Sequence, residues 1–377
     1  MSNKSKLTHF KVGNGNCSII EADDFLMVID LNKTEDKDSS YNLLKPFFRQ
    51  KGGKDTIDVL YITHGDEDHC LGFKKFKEEI DAGNLVIGTI WHQGYDREKN
   101  HDPEKDSELP EDYLVLNKEI KRRLDISNPE FGDIVKALKS KDASDEAFDG
   151  IDKPDSLEVK VLSPFDGDDE DSNYNHNDLS LIINVTLEGK STLYTGDASS
   201  KYWQEKIIPD LLNDDDYSDW AKADILEVGH HGSYDFFGEN REDVRDSNDE
   251  PDNYEALNKT EPDELIISAE SKFPLSGDSS GDQPPHYAAW KWYHKWFRDN
   301  HNVSEDDKHP NQFKYTSEGN IRLEYTGTKW KYIDNWDHNE KANQAKRIAE
   351  SMKAGTLSIG GFEKKVSPTK YFGENVI

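Results

Sequence analysis

Only two cysteines, Cys17 and Cys70, occur in 377 residues, too few for a disulfide framework and consistent with buried thiols in a reducing compartment. Long apolar runs are missing too. No window approaches the ~18 apolar residues of a membrane-spanning helix, and the N-terminal MSNKSKLTHF lacks the apolar core of a secretory signal. The expectation is a soluble cytoplasmic protein with no membrane partner. Positive charge is scarce. With 47 Lys and Arg against 77 Asp and Glu, the formal net charge is −30, a field that repels phosphate backbones and anionic lipid. A phosphate substrate stays open at a site that carries its own cations, because bound metals are often the largest local charges. Aromatic residues are not lacking: 8 Trp, 16 Tyr and 16 Phe supply mass for a core in an otherwise polar chain.

Short β-rich runs alternate with helical patterns. CSIIEADDFLMVID reads as a hairpin ending at Asp30, and YNLLKPFFRQKGG as a helix stopped by Gly52 and Gly53. IDVLYITH is a buried strand, GFKKFKEEIDAG an amphipathic helix and NLVIGTIWH a further strand. Residues 95–155 change in composition: acidic turns flank helical stretches such as YLVLNKEIKRRL and FGDIVKALKS, as in a surface insertion. Strands resume with SLEVKVLSP, LSLIINVTLEG, STLYTGD and ADILEVGHHGS. An acidic loop over 236–262 precedes DELIISAES, the helix AAWKWYHKWF and two closing strands. The expected division is a main domain over 1–335 and a basic C-terminal helix and tail over 336–377. The alternation of strand and helix implies an α/β sandwich.

The densest chemistry lies in YITHGDEDHCLGF, where His64, Asp66, Asp68 and His69 follow one strand end. Side chains on a turn after a rigid strand can converge at low entropic cost, as a metal site requires. Two imidazoles and two carboxylates suffice for half-shells around two ions, and half-shells leave open positions for catalysis. Asp197 closes LYTGD, His230 and His231 close ILEVGHHGS, and Asp30 closes MVID, so polar groups gather at several strand ends, where α/β sheets bind ligands. The alternative is a solvated acidic turn with surface histidines. For the Trp290, Trp292, Tyr293, Trp296, Phe297 series, core packing and a base-stacking platform are both open.

Taken in order, HGDEDH, TGD and GHHGS resemble the metallo-β-lactamase fold hydrolases, and most of all the nuclease-like domain of the ComEC/Rec2 competence proteins. Asp66 stands where most of the superfamily has a histidine, as it does in that subgroup. VGNGNCSII and NDLSLII extend the likeness, which runs from about Phe10 to Tyr325. The resemblance implies a four-layer αββα sandwich with insertions and a centre of two divalent metal ions. Site one would take His64 and Asp66, and site two Asp68, His69 and His230. Asp197 would bridge the ions, and Asp30 would orient the ligand turn. Asp68 would also orient a metal-bound hydroxide acting as nucleophile. Which of His230 and His231 is the ligand stays open; with His230 favoured, His231 and Ser233 would face the substrate. Asn177 and Ser180 fall where the subgroup carries polar residues. His176 is open as a substitute ligand or a loop histidine, and His286 as an acid or phosphate contact or a surface group at a helix start. Asp66 makes the donor set harder, moving preference from Zn²⁺ towards Mn²⁺ or Mg²⁺.

This implies a metal-dependent phosphodiester hydrolase, a DNA or RNA nuclease resembling effectors of bacterial anti-phage defence that act with a partner ATPase. Lys121, Arg122, Arg123 and the basic tail, or a partner, would offset the acidic surface. The alternative is hydrolysis of a small ester, lactone or phosphorylated metabolite.

Overall fold

The computed structural model describes residues 5–32, 40–100, 108–168, 173–276 and 283–333. The expected basic helix and tail over 336–377 lie outside the described residues.

Among the described residues, fifteen strands form two sheets. The first holds β1 (Lys6–His9), β2 (Ser18–Ala22), β3 (Phe25–Ile29), β4 (Arg49–Lys51), β5 (Lys54–Tyr61), β6 (Leu85–His92) and β7 (Ile134–Ala137). The second runs from β8 (Leu157–Ser163) through β9 (Ile182–Leu187), β10 (Lys190–Tyr194), β11 (Ile225–Glu227) and β12 (Glu264–Ile267) to β13 (Phe313–Tyr315). β14 (Ile321–Tyr325) and β15 (Trp330–Tyr332) return to the first sheet, whose order is β15-β14-β1-β2-β3-β5-β6-β7, with β4 paired to β5.

Side-chain alternation builds the layers. Along β3, Met27 and Ile29 point between the sheets, where Val159, Ile183, Ile225 and Ile266 of the second sheet meet them. Leu26 and Val28 point the other way, onto Phe73, Phe76, Leu116 and Ile120 of the flanking helices. The second sheet packs its outer face, including Leu226 and Ile267, on Trp203, Trp292 and Trp296. The order is helix, sheet, sheet, helix, the four layers expected. The aromatic series 290–297 is core.

The helix Phe73–Asp81 buries Phe73 and Phe76 completely, worth about 1.5–3 kcal/mol each. The helix Glu111–Leu124 presents Tyr113, Leu116 and Ile120 on its buried face, with acids in its first turn and Lys121, Arg122 and Arg123 in its last, as the helix dipole favours. Buried Arg123 pairs with Glu119 (2.9 Å) and donates to Ile87 O (3.1 Å) and Ile134 O (3.0 Å), stitching the helix to β6 and β7.

Three sequence readings need correction. FGDIVKALKS is an edge strand, β7, parallel to β6, so the stretch 95–155 supplies both a sheet strand and a core helix. Arg49–Lys51 is a strand, and Gly52-Gly53 turns it back onto β5. Residues 236–262 are not a plain loop: the helices Arg241–Asp246 and Tyr254–Thr260 bury Val244, Tyr254 and Leu257.

β3, β5 and β6 are parallel, as are β10, β11 and β12. Their carboxyl ends deliver Asp30, His64, His92, Asp197, His230 and Ser268. Among the described residues, no helix is long and apolar enough to cross a membrane.

Candidate metal centre

The ligand turn is fixed from below by Asp30, fully buried at the end of β3. Its Oδ1 accepts from Thr63 N (2.7 Å), and its Oδ2 accepts from Thr63 Oγ1 (2.8 Å) and His69 Nδ1 (2.7 Å). A carboxylate only accepts, so the His69 proton sits on Nδ1 and Nε2 presents a lone pair. Asp30 thus ties the end of β3 to Thr63 and His69 of the turn.

Two groups of potential ligands come within 4.8 Å of one another: His64, His69 and Asp197, and Asp68, His69 and His231. His64 Nε2 lies 3.7 Å from Asp197 Oδ2 and 3.4 Å from Asp66 Oδ2, while His69 Nε2 lies 3.3 Å from Asp197 Oδ1. His231 Nε2 is 3.2 Å from Asp68 Oδ2 and 3.8 Å from Asp197 Oδ1. Asp197 is thus the shared carboxylate, and Ser180 Oγ accepts from its backbone N–H (3.1 Å).

The histidine pair is exchanged relative to the expectation. His231, buried, joins the ligand group assigned to His230, and its Nδ1 lies 3.1 Å from Ser268 O. His230 reaches Asp197 Oδ2 at 3.6 Å from the more open side, and its Nδ1 is 3.2 Å from Asp235 Oδ2. The cause is backbone conformation: His230 (φ 47°) and His231 (φ 54°) are both left-handed, each costing about 1–3 kcal/mol, and this turn swings the second ring inward.

Asp66 is handled differently from the other carboxylates. Its Oδ1 accepts from Arg97 Nη1 (2.6 Å) and His176 Nε2 (2.8 Å). His176 is therefore at the centre. Arg97 was not legible as a site residue, since its contact with Asp66 depends on the fold of the 95–155 stretch. Asp235 was missed likewise, whereas the Gly15 loop belongs to the VGNGNCSII stretch of the likeness. Gly15 N lies 3.3 Å from His231 Nδ1, and Asn16 N donates to Asp68 O (3.2 Å). A Cβ on Gly15 (φ +124°) would meet Asn32 Nδ2 at 1.8 Å.

Other expected residues sit at the margins. Ser233 Oγ donates to Asp235 Oδ2 (3.0 Å) and so acts on His230 through Asp235. His286 is buried where Tyr234 N donates to its Nδ1 (3.3 Å), so its contacts are with the 230s turn. Asn177 accepts from Ser180 N through its backbone carbonyl (2.9 Å) and shapes the loop that carries Ser180. Cys70 Sγ donates to Asp66 O (3.1 Å) as part of the wall.

The donors fit a divalent metal centre. His64 Nε2 and Asp197 Oδ1 are buried, yet neither makes a hydrogen bond among the described residues. His69 Nε2 and His231 Nε2 face each other at 3.3 Å. Electrostatics agree. Burial works against the Asp197 carboxylate, but His69, His230, His231 and His64 hold its pKa well below the ordinary range. In the metal-free protein burial disfavours protonated His69, but Asp197, Asp30 and Asp68 push its pKa well up, so a bound cation would take the place of the Nε2 proton. At Asp66 burial is likewise outweighed, by the His176 hydrogen bond and the nearby His64 ring, and the pKa is lowered.

The metallo-beta-lactamase superfamily profile matches residues 10–251. The chain belongs to that superfamily. Its donor set fits the metal centre of that superfamily. It is 29% identical over 199 residues to ComE operon protein 3 of Bacillus subtilis (strain 168), a match covering 52% of this chain and 20% of the relative, so the chain spans a fifth of that protein's length. Among solved structures, it is similar to CmlA, a diiron beta-hydroxylase from Streptomyces venezuelae (14% identity, 86% of this chain and 55% of that one, TM-score 0.42). It is also similar to Igni18, a metallo hydrolase from Ignicoccus hospitalis (12% identity, 86% and 100%, TM-score 0.38).

Proposed function

We propose that this protein is a metal-dependent phosphodiesterase that cleaves DNA or RNA. The observation that carries the reading is the pair of ligand groups sharing His69 and flanking Asp197, in a chain related to ComE operon protein 3. His64, Asp197 and Asp66 Oδ2 would hold one ion, and Asp68, His69 and His231 the other, with His176 and Arg97 steadying Asp66. Two such ions, when bound, would supply the Lewis acidity for an in-line displacement at phosphorus. The carboxylate-rich set supports Mn²⁺ or Mg²⁺ alongside Zn²⁺.

The chain's own residues have separable tasks. Asp30 fixes the His69 tautomer. Asp68, half open to solvent and 3.2 Å from His231 Nε2, is placed to accept a proton from an incoming water. Arg97 offsets the Asp66 charge. His230, braced by Asp235, stands at the open side, where it can donate to a leaving oxygen.

Substrate attraction is the harder requirement. Lys121 pairs with Asp96 and Glu98, Arg122 with Glu119 and Asp133, and Arg123 is buried, so the expected cationic strip is neutralised by its own neighbours. This supports delivery of nucleic acid by a partner, such as an ATPase of an anti-phage defence complex, with the acidic surface suppressing stray cleavage.

The test is cleavage of plasmid and single-stranded oligonucleotides by purified protein with Mn²⁺, Mg²⁺ or Zn²⁺ across a salt series. Cleavage that falls steeply with salt is expected. Intact nucleic acid alongside turnover of small esters or lactones at any salt overturns the reading.

A further inference from the structure

We propose that Arg97 is a substrate contact whose guanidinium binds a non-bridging oxygen of the phosphodiester, so that the site selects a charged diester over a neutral ester. The proposal rests on the phosphodiesterase reading above. Arg97 opens the short helix Arg97–Asn100, in the 95–155 stretch. Among the described residues it is the one Arg or Lys that pairs with a carboxylate of the centre, Asp66, Asp68 or Asp197.

The guanidinium is held at one nitrogen only. The two protons of Nη1 go to Gly65 O (2.5 Å) and Asp66 Oδ1 (2.6 Å). Arg97 N donates to the Tyr113 hydroxyl (2.8 Å), and the guanidinium carbon lies 5.5 Å from the centroid of the Tyr113 ring, so backbone and side chain are both fixed. Arginine carries five N–H donors in a rigid fork. The other three, on Nε and Nη2, make no hydrogen bond among the described residues, and neither nitrogen is sealed from solvent. Three free donors thus sit on a side chain that is only 12% exposed.

Access places those donors on the route to the centre. On the His64 side, His64 and Asp197 are buried, whereas Asp66 and His176, which meet at Asp66 Oδ1, are 27% and 25% exposed. A ligand therefore reaches this side past Asp66. One oxygen of that carboxylate holds Arg97, and the other lies 3.4 Å from His64 Nε2, so the fork stands a single carboxylate away from the His64 ring. Charge then selects the ligand. In a chain of net charge −30, three carboxylates meet at the centre and Arg97 offsets only one of them. An ion on Asp66 Oδ2 would draw on that same carboxylate and leave part of the guanidinium charge uncompensated. A planar fork matches two oxygens of a phosphate group, and its charge-assisted hydrogen bonds are about twice as strong as neutral ones. A carboxylic ester or lactone offers one carbonyl oxygen and no charge.

The experiment compares kcat/KM for bis(p-nitrophenyl) phosphate, a monoanion, and for its neutral methyl triester. Unmodified protein, Arg97→Met and Arg97→Lys are each used full-length and saturated with Mn²⁺. Both substrates release the same leaving group, so their ratio cancels any loss of metal or of folded protein. Arg97→Met should lower the anion-to-neutral ratio about 10–100-fold, as expected for loss of a charge-assisted hydrogen bond. Calorimetric titration with inorganic phosphate reads the same contact without turnover, and its affinity should fall to a similar degree. Arg97→Lys, which keeps the charge and loses the fork, should recover only a small part of either loss. A ratio and a phosphate affinity unchanged in Arg97→Met, or an equal fall on both substrates, would make Arg97 a support for Asp66 alone and overturn the contact, with the phosphodiesterase left standing. Full recovery in Arg97→Lys would show a field without a fork and overturn it as well. Failure of the unmodified protein to hydrolyse the diester with Mn²⁺, Mg²⁺ or Zn²⁺ overturns both readings.

Discussion

Replacing Asp30 by Asn changes one atom type far from any substrate, yet metal uptake should fall sharply. Asp30 is fully buried and accepts three hydrogen bonds of 2.7–2.8 Å, one of them from His69 Nδ1. The amide oxygen can keep only part of this set, and the amide N–H₂ turned towards His69 or Thr63 Oγ1 no longer holds the imidazole proton on Nδ1. A proton on Nε2 occupies the position a ligand needs. Loss of such an orienting partner weakens metal binding by about 10–100-fold, or ~1.4–2.8 kcal/mol. The assay is competition of wild type and Asp30→Asn against a chelating dye for Zn²⁺ and Mn²⁺, with near-UV circular dichroism as the check on folding. A folded variant that binds both ions within about twofold of wild type would refute the argument that the tautomer is set from β3.

Further outcomes can be stated. Asp197→Ala or Asp68→Ala should abolish turnover while leaving the fold largely intact; an active Asp68→Ala/Asp197→Ala double variant would defeat the two-ion reading. Gly15→Ala should destabilise the protein by a few kcal/mol, at the upper end of the ~1–3 kcal/mol expected for overpacking, because its Cβ would fall 1.8 Å from Asn32 Nδ2 and 2.6 Å from Asp68 O. Urea unfolding measures it. Arg123→Met should cost about 1–3 kcal/mol by the same measure, since the buried carbonyls of Ile87 and Ile134 lose their donor while Glu119 keeps Arg122. In chelated protein, His230 has its pKa raised to about 9: burial opposes the charge, but Asp197 and Asp235 outweigh it. A raised folded-state pKa contributes stability that is full below the unfolded value of ~6.5 and is lost as pH rises through the folded value. The melting temperature of the chelated protein should therefore fall between about pH 6.5 and 9, and a flat profile there would contradict the His230 environment.

The strand ends were legible because apolar runs such as IDVLYITH and STLYTGD stop abruptly on polar groups, and a carboxylate after a buried strand has no packing role. What the sequence hid depends on long-range contact or on a few dihedral angles. His230 and His231 are chemically identical neighbours, and only two successive left-handed backbones decide which ring turns inward. Arg97 looks like one more charge in an acidic stretch until the helix Glu111–Leu124 packs and Tyr113 anchors its backbone. FGDIVKALKS was misread because its apolar residues recur at a spacing compatible with a helix, whereas pairing with β6 selects an edge strand. The signal for His176 was present in YNHNDLSLII, but nothing local tells a loop histidine from one that reaches Asp66.

The turn bearing His64 to His69 hangs from one sheet, while Asp197 and His231 hang from the other. A metal gripped between them is a rivet through the sandwich as well as a reagent. Occupancy must then brace the whole scaffold against opening, by RT ln(1 + [L]/Kd), or ~2.7 kcal/mol at a hundredfold excess over Kd. Starving the protein of metal should therefore loosen the seam between its halves as it silences the chemistry.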